Sequence, residues 1–256
     1  MRVVFVGAGN LATNLALEFK KNNFTIEQIY SHTIKSATLL AGLVNCEATN
    51  DVAEIIPDAD LYIFSVKDNV LSGLLKQIPA NNGIWIHTAG SVPVDVFEGH
   101  VRNYGVVYPL QTFSKTRRVD FKVIPLFMEA SAPGILKKLK SIFSVVSNVQ
   151  IDLSSEKRKY LHLTAVFACN FVNRMYAVSE EILKKEDIPF EVMLPLIDET
   201  AAKIHVMSPG TAQTGPAIRF DKDIINRHLS MLDNDRLKVI YQLISEDIHG
   251  TNKHKI

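Results

Sequence analysis

The feature that most constrains the fold stands at the start of the chain. An apolar run, Val3 to Val6, meets Gly7-Ala8-Gly9-Asn10-Leu11-Ala12, and then Leu11, Leu15 and Phe19 recur at helical spacing up to Lys20 and Lys21. A buried strand, G-x-G-x-x-A and an amphipathic helix, in that order, form the context in which a dinucleotide is held. Gly7 permits the tight turn. Gly9 lets a pyrophosphate approach the free N–H groups at Asn10 and Leu11, where the first turn of a helix leaves its donors unsatisfied. Ala12 takes the place of a third glycine, close to the sheet. The alternative reading is a strand-to-helix turn with no ligand.

Further strands are expected at 25–31, 59–66, 83–88, 104–108 and 122–129, and helices at 34–43, 69–78 and 133–146. That alternation is the mark of βαβ units around a doubly wound, mainly parallel sheet. After residue 151 the strand pattern stops. A helix is expected from Ser154 to about Lys185, without Gly or Pro, followed by helices at 190–206, 222–232 and 235–248. Asp221 and Asn234 read as N-caps and Gly250 as a stop, and 207–221 reads as one long Gly/Pro/Thr-rich loop. The expected organisation is therefore an α/β Rossmann domain over 1–151 and an all-α domain for substrate and dimerisation over 152–256.

With 47% hydrophobic residues, 21% charged residues and a net charge of +1, the chain has material for a sizeable core. It has no global field to draw nucleic acid or an anionic membrane. Two cysteines, Cys46 and Cys169, at no framework spacing fit a reducing cytoplasm. No apolar run reaches the roughly 20 residues of a membrane helix, and no metal-ligand spacing stands out. The expected partner is a small molecule.

The choice of dinucleotide is read about 20 residues after the glycine turn, where a carboxylate would bind the ribose 2′-hydroxyl. Here stand Ser31, His32, Thr33 and Lys35, with no acid among them. Hydroxyls, an imidazole and an ammonium suit a 2′-phosphate, so NADP is expected rather than NAD. The competing reading is a simple polar turn. Val66 and Lys67, after the "ADLYIF" strand, are further cofactor candidates, although Lys67 and Asp68 equally suit a helix start.

Ligands of open α/β sheets collect at the carboxyl ends of the strands. "HTAGS" (87–91) and "YPLQTF" (108–113) stand there, with His87, Gln111 and Thr112. On the long helix His162, Val166 and Asn170 recur at i, i+4 and i+8, about 12 Å from first to last. His162 and Asn170 would then flank a substrate; a core histidine and a structural asparagine are the alternative. Arg219 follows the Gly/Pro loop as a substrate-binding candidate. His87 and His162 are the candidate proton donors, since imidazole titrates near neutrality.

Taken together, "GAGNLA", "YSHT", "ADLYIFSVKDN", "HTAGS", "YPLQTF", "HLTAVFACNFVNRM" and "TGPAIRFDKDIINRHLSML" resemble a bacterial two-domain family. Its members have a Rossmann-like NADP oxidoreductase domain and a C-terminal helical domain of unknown function. The family is kin to pyrroline-5-carboxylate reductase, the deazaflavin-dependent NADP reductases and the 6-phosphogluconate and 3-hydroxyisobutyrate dehydrogenases. The resemblance implies a homodimer formed through the helical domain. It also implies hydride transfer between NADP(H) and a small carbonyl or imine metabolite. One departure bears on mechanism: the β-hydroxyacid dehydrogenases carry a lysine four residues before the asparagine matched by Asn170, and here that position is Val166. A non-catalytic NADP-binding sensor or assembly protein is the alternative that this departure keeps open.

Overall fold

The computed structural model describes residues 1–252, and its contacts divide the chain into two compact units, Met1–Arg174 and Met175 onward. The first unit is built on eight strands: β1 (Arg2–Val6), β2 (Thr25–Tyr30), β3 (Glu47–Thr49), β4 (Leu61–Phe64), β5 (Ile84–His87), β6 (Tyr104–Pro109), β7 (Leu126–Ala130) and β8 (Gln150–Asp152). They form one sheet in the order β3-β2-β1-β4-β5-β6-β7-β8. Every neighbouring pair is parallel except β6 and β7. The helices of this unit are α1 (Asn10–Lys21), α2 (Ile34–Val44), α3 (Asp68–Leu75), α4 (Pro133–Phe143) and α5 (Ser155–Ala165).

The continuous apolar runs are explained by cores on both faces of the sheet. Val3, Phe5, Leu61 and Ile63 point to the side where Leu15 and Phe19 of α1, Leu40 of α2 and Phe143 of α4 pack. Val4, Val6, Tyr62 and Phe64 point to the other side, against Leu71 and Leu74 of α3 with Trp85 and Phe97. The doubly wound expectation holds. Two strands escaped the sequence reading, β3 and β8, each three residues long and too short to carry a period. The strand expected from residue 122 begins at Leu126: Phe121–Val123 is a 3-10 turn, and Pro125 has no N–H for a ladder.

The long helix is present but not uniform: between α5 and α6 (Val172–Lys185), Val166–Phe171 winds as a π-helix. The division between the units falls within α6, later than residue 151. Arg158 is a reason: its guanidinium bonds to Glu129 and to the Val92 carbonyl, which ties α5 to the sheet.

The second unit continues with α7 (Leu194–Lys203), α8 (Pro209–Ala212), α9 (Pro216–Arg219), α10 (Lys222–Met231) and α11 (Asp235–Asn252). The stretch 207–221 is thus not one irregular loop, since it holds two single-turn helices. Asp221 does cap α10, its carboxylate accepting the Ile224 N–H at 3.2 Å, and Asn234 accepts the Arg236 and Leu237 N–H groups at 2.9 and 3.3 Å. Gly250 does not stop α11. A helical glycine costs about 1 kcal/mol relative to alanine, and the helix absorbs it. Among the described residues no helix is long and apolar enough to cross a membrane.

Candidate cofactor and active site

The strand order reverses between β1, which leads through α1 to β2, and β4. At such a switch point the connecting helices leave to opposite faces and a crevice opens at the carboxyl ends. A cavity of about 600 Å³ lies there, with Gly7, Gly9 and Ala8 on one wall, Ser31, His32 and Ser36 on another, and Val66, Lys67 and Lys115 also lining it. No carboxylate is among its lining residues.

The two glycines are glycines for different reasons. Gly7 has φ +122°, and a Cβ on it would lie 2.3 Å from the Ser65 carbonyl oxygen, so the close approach of the chain just past the parallel strands β1 and β4 demands glycine. Its N–H donates to the Tyr30 carbonyl at 2.8 Å, which joins β1 to β2. Gly9 lies at φ −77° and ψ −172°, a conformation open to any residue, and caps α1 without a side-chain bond. A Cβ there would meet no atom of the protein within 4 Å. Nothing in the fold requires glycine at this position. A phosphate approaching the uncapped N-terminus of α1 does, so the residues present fit the dinucleotide expected from the sequence.

Several expected contacts move. Ala12 is fully buried and contributes through backbone geometry alone, and the side chain of Leu11 packs on the core. Asn10 turns its amide away to donate to the Phe113 carbonyl at 3.0 Å. Thr33 donates to the Ser36 hydroxyl at 2.8 Å at the start of α2, and Lys35 is exposed on that helix; neither lines the cavity. The corner after β2 is therefore formed by Ser31, His32 and Ser36. Ser36 and Lys115 were not legible in the sequence as cavity residues.

Further along the carboxyl edge, His87 at the end of β5 is 1% exposed. Its Nδ1 accepts the Ala89 N–H at 3.2 Å and its Nε2 bonds the Pro93 carbonyl at 3.3 Å, a pairing that places the single proton on Nε2. Burial pushes its pKa down to about 3, and the Arg158 charge adds to the shift. A neutral imidazole with both nitrogens engaged cannot deliver a proton, which corrects its place among the donor candidates.

His162 of α5 differs. It is half-buried, and its Nδ1 lies 3.1 Å from the Tyr108 hydroxyl at the end of β6. Gly90 makes room for the ring, since a Cβ on Gly90 would fall 2.6 Å from it. Burial raises the Tyr108 pKa, so the phenol stays protonated and able to donate to the imidazole. Asn170 sits in the π segment and is exposed. The wider turn breaks the α period, so the i, i+4, i+8 alignment with His162 does not carry through. Gln111 and Thr112 are exposed after β6, with the Gln111 Oε1 accepting the Thr112 N–H at 2.8 Å. Arg219 is exposed at the end of α9 in the second unit.

Arg158 is a further residue the sequence did not single out. Its side chain is 1% exposed, and it donates to Glu129 Oε2 at 2.9 Å, the Val92 carbonyl at 2.5 Å and the Ser155 hydroxyl at 3.1 Å. Its burial lowers the guanidinium pKa and the Glu129 carboxylate opposes that shift. This network holds α5, and with it His162, to the sheet.

Comparison with known proteins matches the two halves to different family models. Residues 2–88 match the family described as NADP oxidoreductase, coenzyme F420-dependent, and residues 124–248 match a domain of unknown function (DUF2520). Among solved structures, a Bacteroides fragilis protein described as a "putative NADP oxidoreductase" is 52% identical, with 97% of this chain and 98% of that chain covered and a TM-score of 0.92. A Thermotoga maritima protein is 23% identical, covering 95% and 98% of the chains, with a TM-score of 0.76. An imine reductase from Myxococcus stipitatus, solved with NADP+, is 13% identical over 99% and 93% of the chains, with a TM-score of 0.66, and shares the fold. No curated protein matches significantly.

Proposed function

The chain belongs to the family of the Bacteroides fragilis protein described as a "putative NADP oxidoreductase", and on that premise we propose that it transfers a hydride between NADP(H) and a small carbonyl or imine metabolite. The observation that carries the reading is the cavity at the β1/β4 switch point. Its glycine at position 9 serves no need of the protein's own packing, and its walls hold cations and hydroxyls without a carboxylate.

In this reading the bound cofactor supplies or accepts the hydride. The backbone N–H groups of Asn10, Leu11 and Ala12 hold the pyrophosphate, and Ser31 and His32 meet the 2′-phosphate. His162 exchanges the substrate proton, with Tyr108 bonded to Nδ1 so that Nε2 is left for the substrate. Gln111, Thr112 and Asn170 orient the substrate. The helical unit joins two copies into a homodimer. It exposes Leu196 on α7, Leu243 on α11, and Ile204 and Val206 in the turn after α7, and apolar area of that kind is commonly covered by a partner. Cys46 and Cys169 are free, in keeping with a reducing cytoplasm.

Calorimetric titration with NADPH and NADH is the first test, and tighter binding of NADPH is the expected result. Binding of neither refutes the reading. Oxidation of NADPH with a panel of keto acids, aldehydes and imines follows. Val166, at the place where related dehydrogenases carry lysine, favours one second reading, a sensor that binds NADP without turnover. Binding without oxidation of cofactor across the panel would select it.

A further inference from the structure

We propose that Lys115, carried on a strap that folds back over the glycine turn, supplies the cation that recognises the 2′-phosphate; the inference rests on the NADP(H) reading above. Ser31, His32 and Ser36 form the cavity corner after β2. Two hydroxyls and an imidazole hydrogen-bond a phosphate but bring no fixed charge, and a strong phosphate site pairs such donors with a cation. Lys35, the nearest cation in sequence, does not line the cavity. Lys67 lies at the other corner, after β4 and beside Val66 and Val70. The cation left for the β2 corner is Lys115, which comes from a distant part of the chain.

Its position is built rather than incidental. The segment 110–120 after β6 has no helix or strand of its own, yet it is anchored on both residues that precede Lys115. Asn10 Nδ2 donates to the Phe113 carbonyl at 3.0 Å, and Asn14 Nδ2 donates to the Ser114 carbonyl at 2.8 Å. Asn14 is 3% exposed, so its amide is a fixed post on α1. The Phe113 ring stacks on Phe121 with centroids 5.6 Å apart, and the Arg117 N–H returns to the Ser114 hydroxyl at 3.2 Å. Two asparagines of the first helix thus hold the strap beside the phosphate turn. The lysine itself remains exposed, within reach of an anion bound in the cavity it lines.

The test compares the wild type, Lys115→Met and Lys115→Arg in calorimetric titrations with NADPH and with NADH, with melting curves recorded for each. Removal of one charged hydrogen bond to phosphate predicts NADPH binding about 10- to 100-fold weaker for Lys115→Met. NADH affinity and melting should be unchanged, and Lys115→Arg should bind NADPH within about threefold of wild type. Lys67→Met, a control, should weaken both nucleotides alike. Equal weakening of NADH and NADPH by Lys115→Met assigns the lysine to a shared part of the cofactor and overturns the proposal, as does unchanged NADPH binding. A wild-type protein that binds neither nucleotide refutes the parent reading first, and this outcome is separate from a lysine-specific failure.

Discussion

Gly7 and Gly9 are two residues apart, and replacing each by alanine should break different things. At Gly7 the backbone lies at φ +122°, and a methyl group would sit 2.3 Å from the Ser65 carbonyl oxygen, inside the 3.0 Å that real Cβ contacts essentially never enter. The backbone strain costs about 1–3 kcal/mol and the overlap about 1–3 kcal/mol more. Their sum, about 2–6 kcal/mol, is a large part of a typical stability of about 5–15 kcal/mol. Gly7→Ala should therefore lower the melting temperature by on the order of 10 °C or leave the protein insoluble. At Gly9 the backbone is extended and the Cβ site is empty. Loss of glycine's unfolded-state entropy favours alanine by about 0.4–1 kcal/mol, and its weaker N-cap propensity offsets that by a similar amount. Gly9→Ala should thus melt within a few degrees of wild type. Its methyl group fills the approach to the N–H groups of α1, and losing a charged hydrogen bond of about 1.5–3 kcal/mol weakens NADPH about 10- to 150-fold. Circular dichroism melts and calorimetric titration read both outcomes. A Gly9→Ala protein that folds and binds NADPH as tightly as wild type would refute the assignment of this turn to the cofactor.

Three further outcomes follow from other sites. His87 titrates near 6.5 when unfolded and near 3 in the fold, so the unfolded chain takes up the proton first. Its contribution is complete above pH 6.5 and is lost as pH falls toward 3. Between pH 7 and pH 5 this removes about 2 kcal/mol, and urea titrations should show a shallower pH dependence for His87→Gln; an equal slope refutes the burial argument. Arg158→Ala leaves the Glu129 carboxylate without its ion pair and should cost about 3–5 kcal/mol, measured by chemical denaturation, whereas less than about 1 kcal/mol would mean the network does not hold α5. Gly90→Ala drives a methyl group into the His162 ring, at 2.6 Å. It should lower kcat with little change in NADPH affinity, and unchanged turnover would remove His162 from the proton path.

The parts of the fold that were legible are the ones governed by local geometry. Short apolar runs and period-3.6 patterns placed six of the strands and the principal helices, because a strand buried on both faces reads as a continuous run and a helix with one buried face repeats every 3.6 residues. The G-x-G-x-x-A turn was readable since the φ of Gly7 and the open N-terminus of α1 both depend on a few adjacent residues. Asp221 and Asn234 declared themselves as caps for the same reason. Short edge strands, with three residues each, fell below what a period can show, and the π turn at Val166–Phe171 carries no signal in residue type.

The site divided along the same line. That the chain would hold a dinucleotide at its first turn, and that the β2 corner lacks a carboxylate, could be read from twelve consecutive letters and a spacing. Which histidine remains free could not. His87 and His162 are both strand-end or helix candidates by pattern, and only packing buries the first and leaves the second against Tyr108. Lys115 reaches the cavity through bonds spanning 103 and 100 residues, from Asn10 to Phe113 and from Asn14 to Ser114. Contacts so distant in sequence are formed by the sheet order bringing β6 to the same edge as β1, and no local preference of the chain announces them.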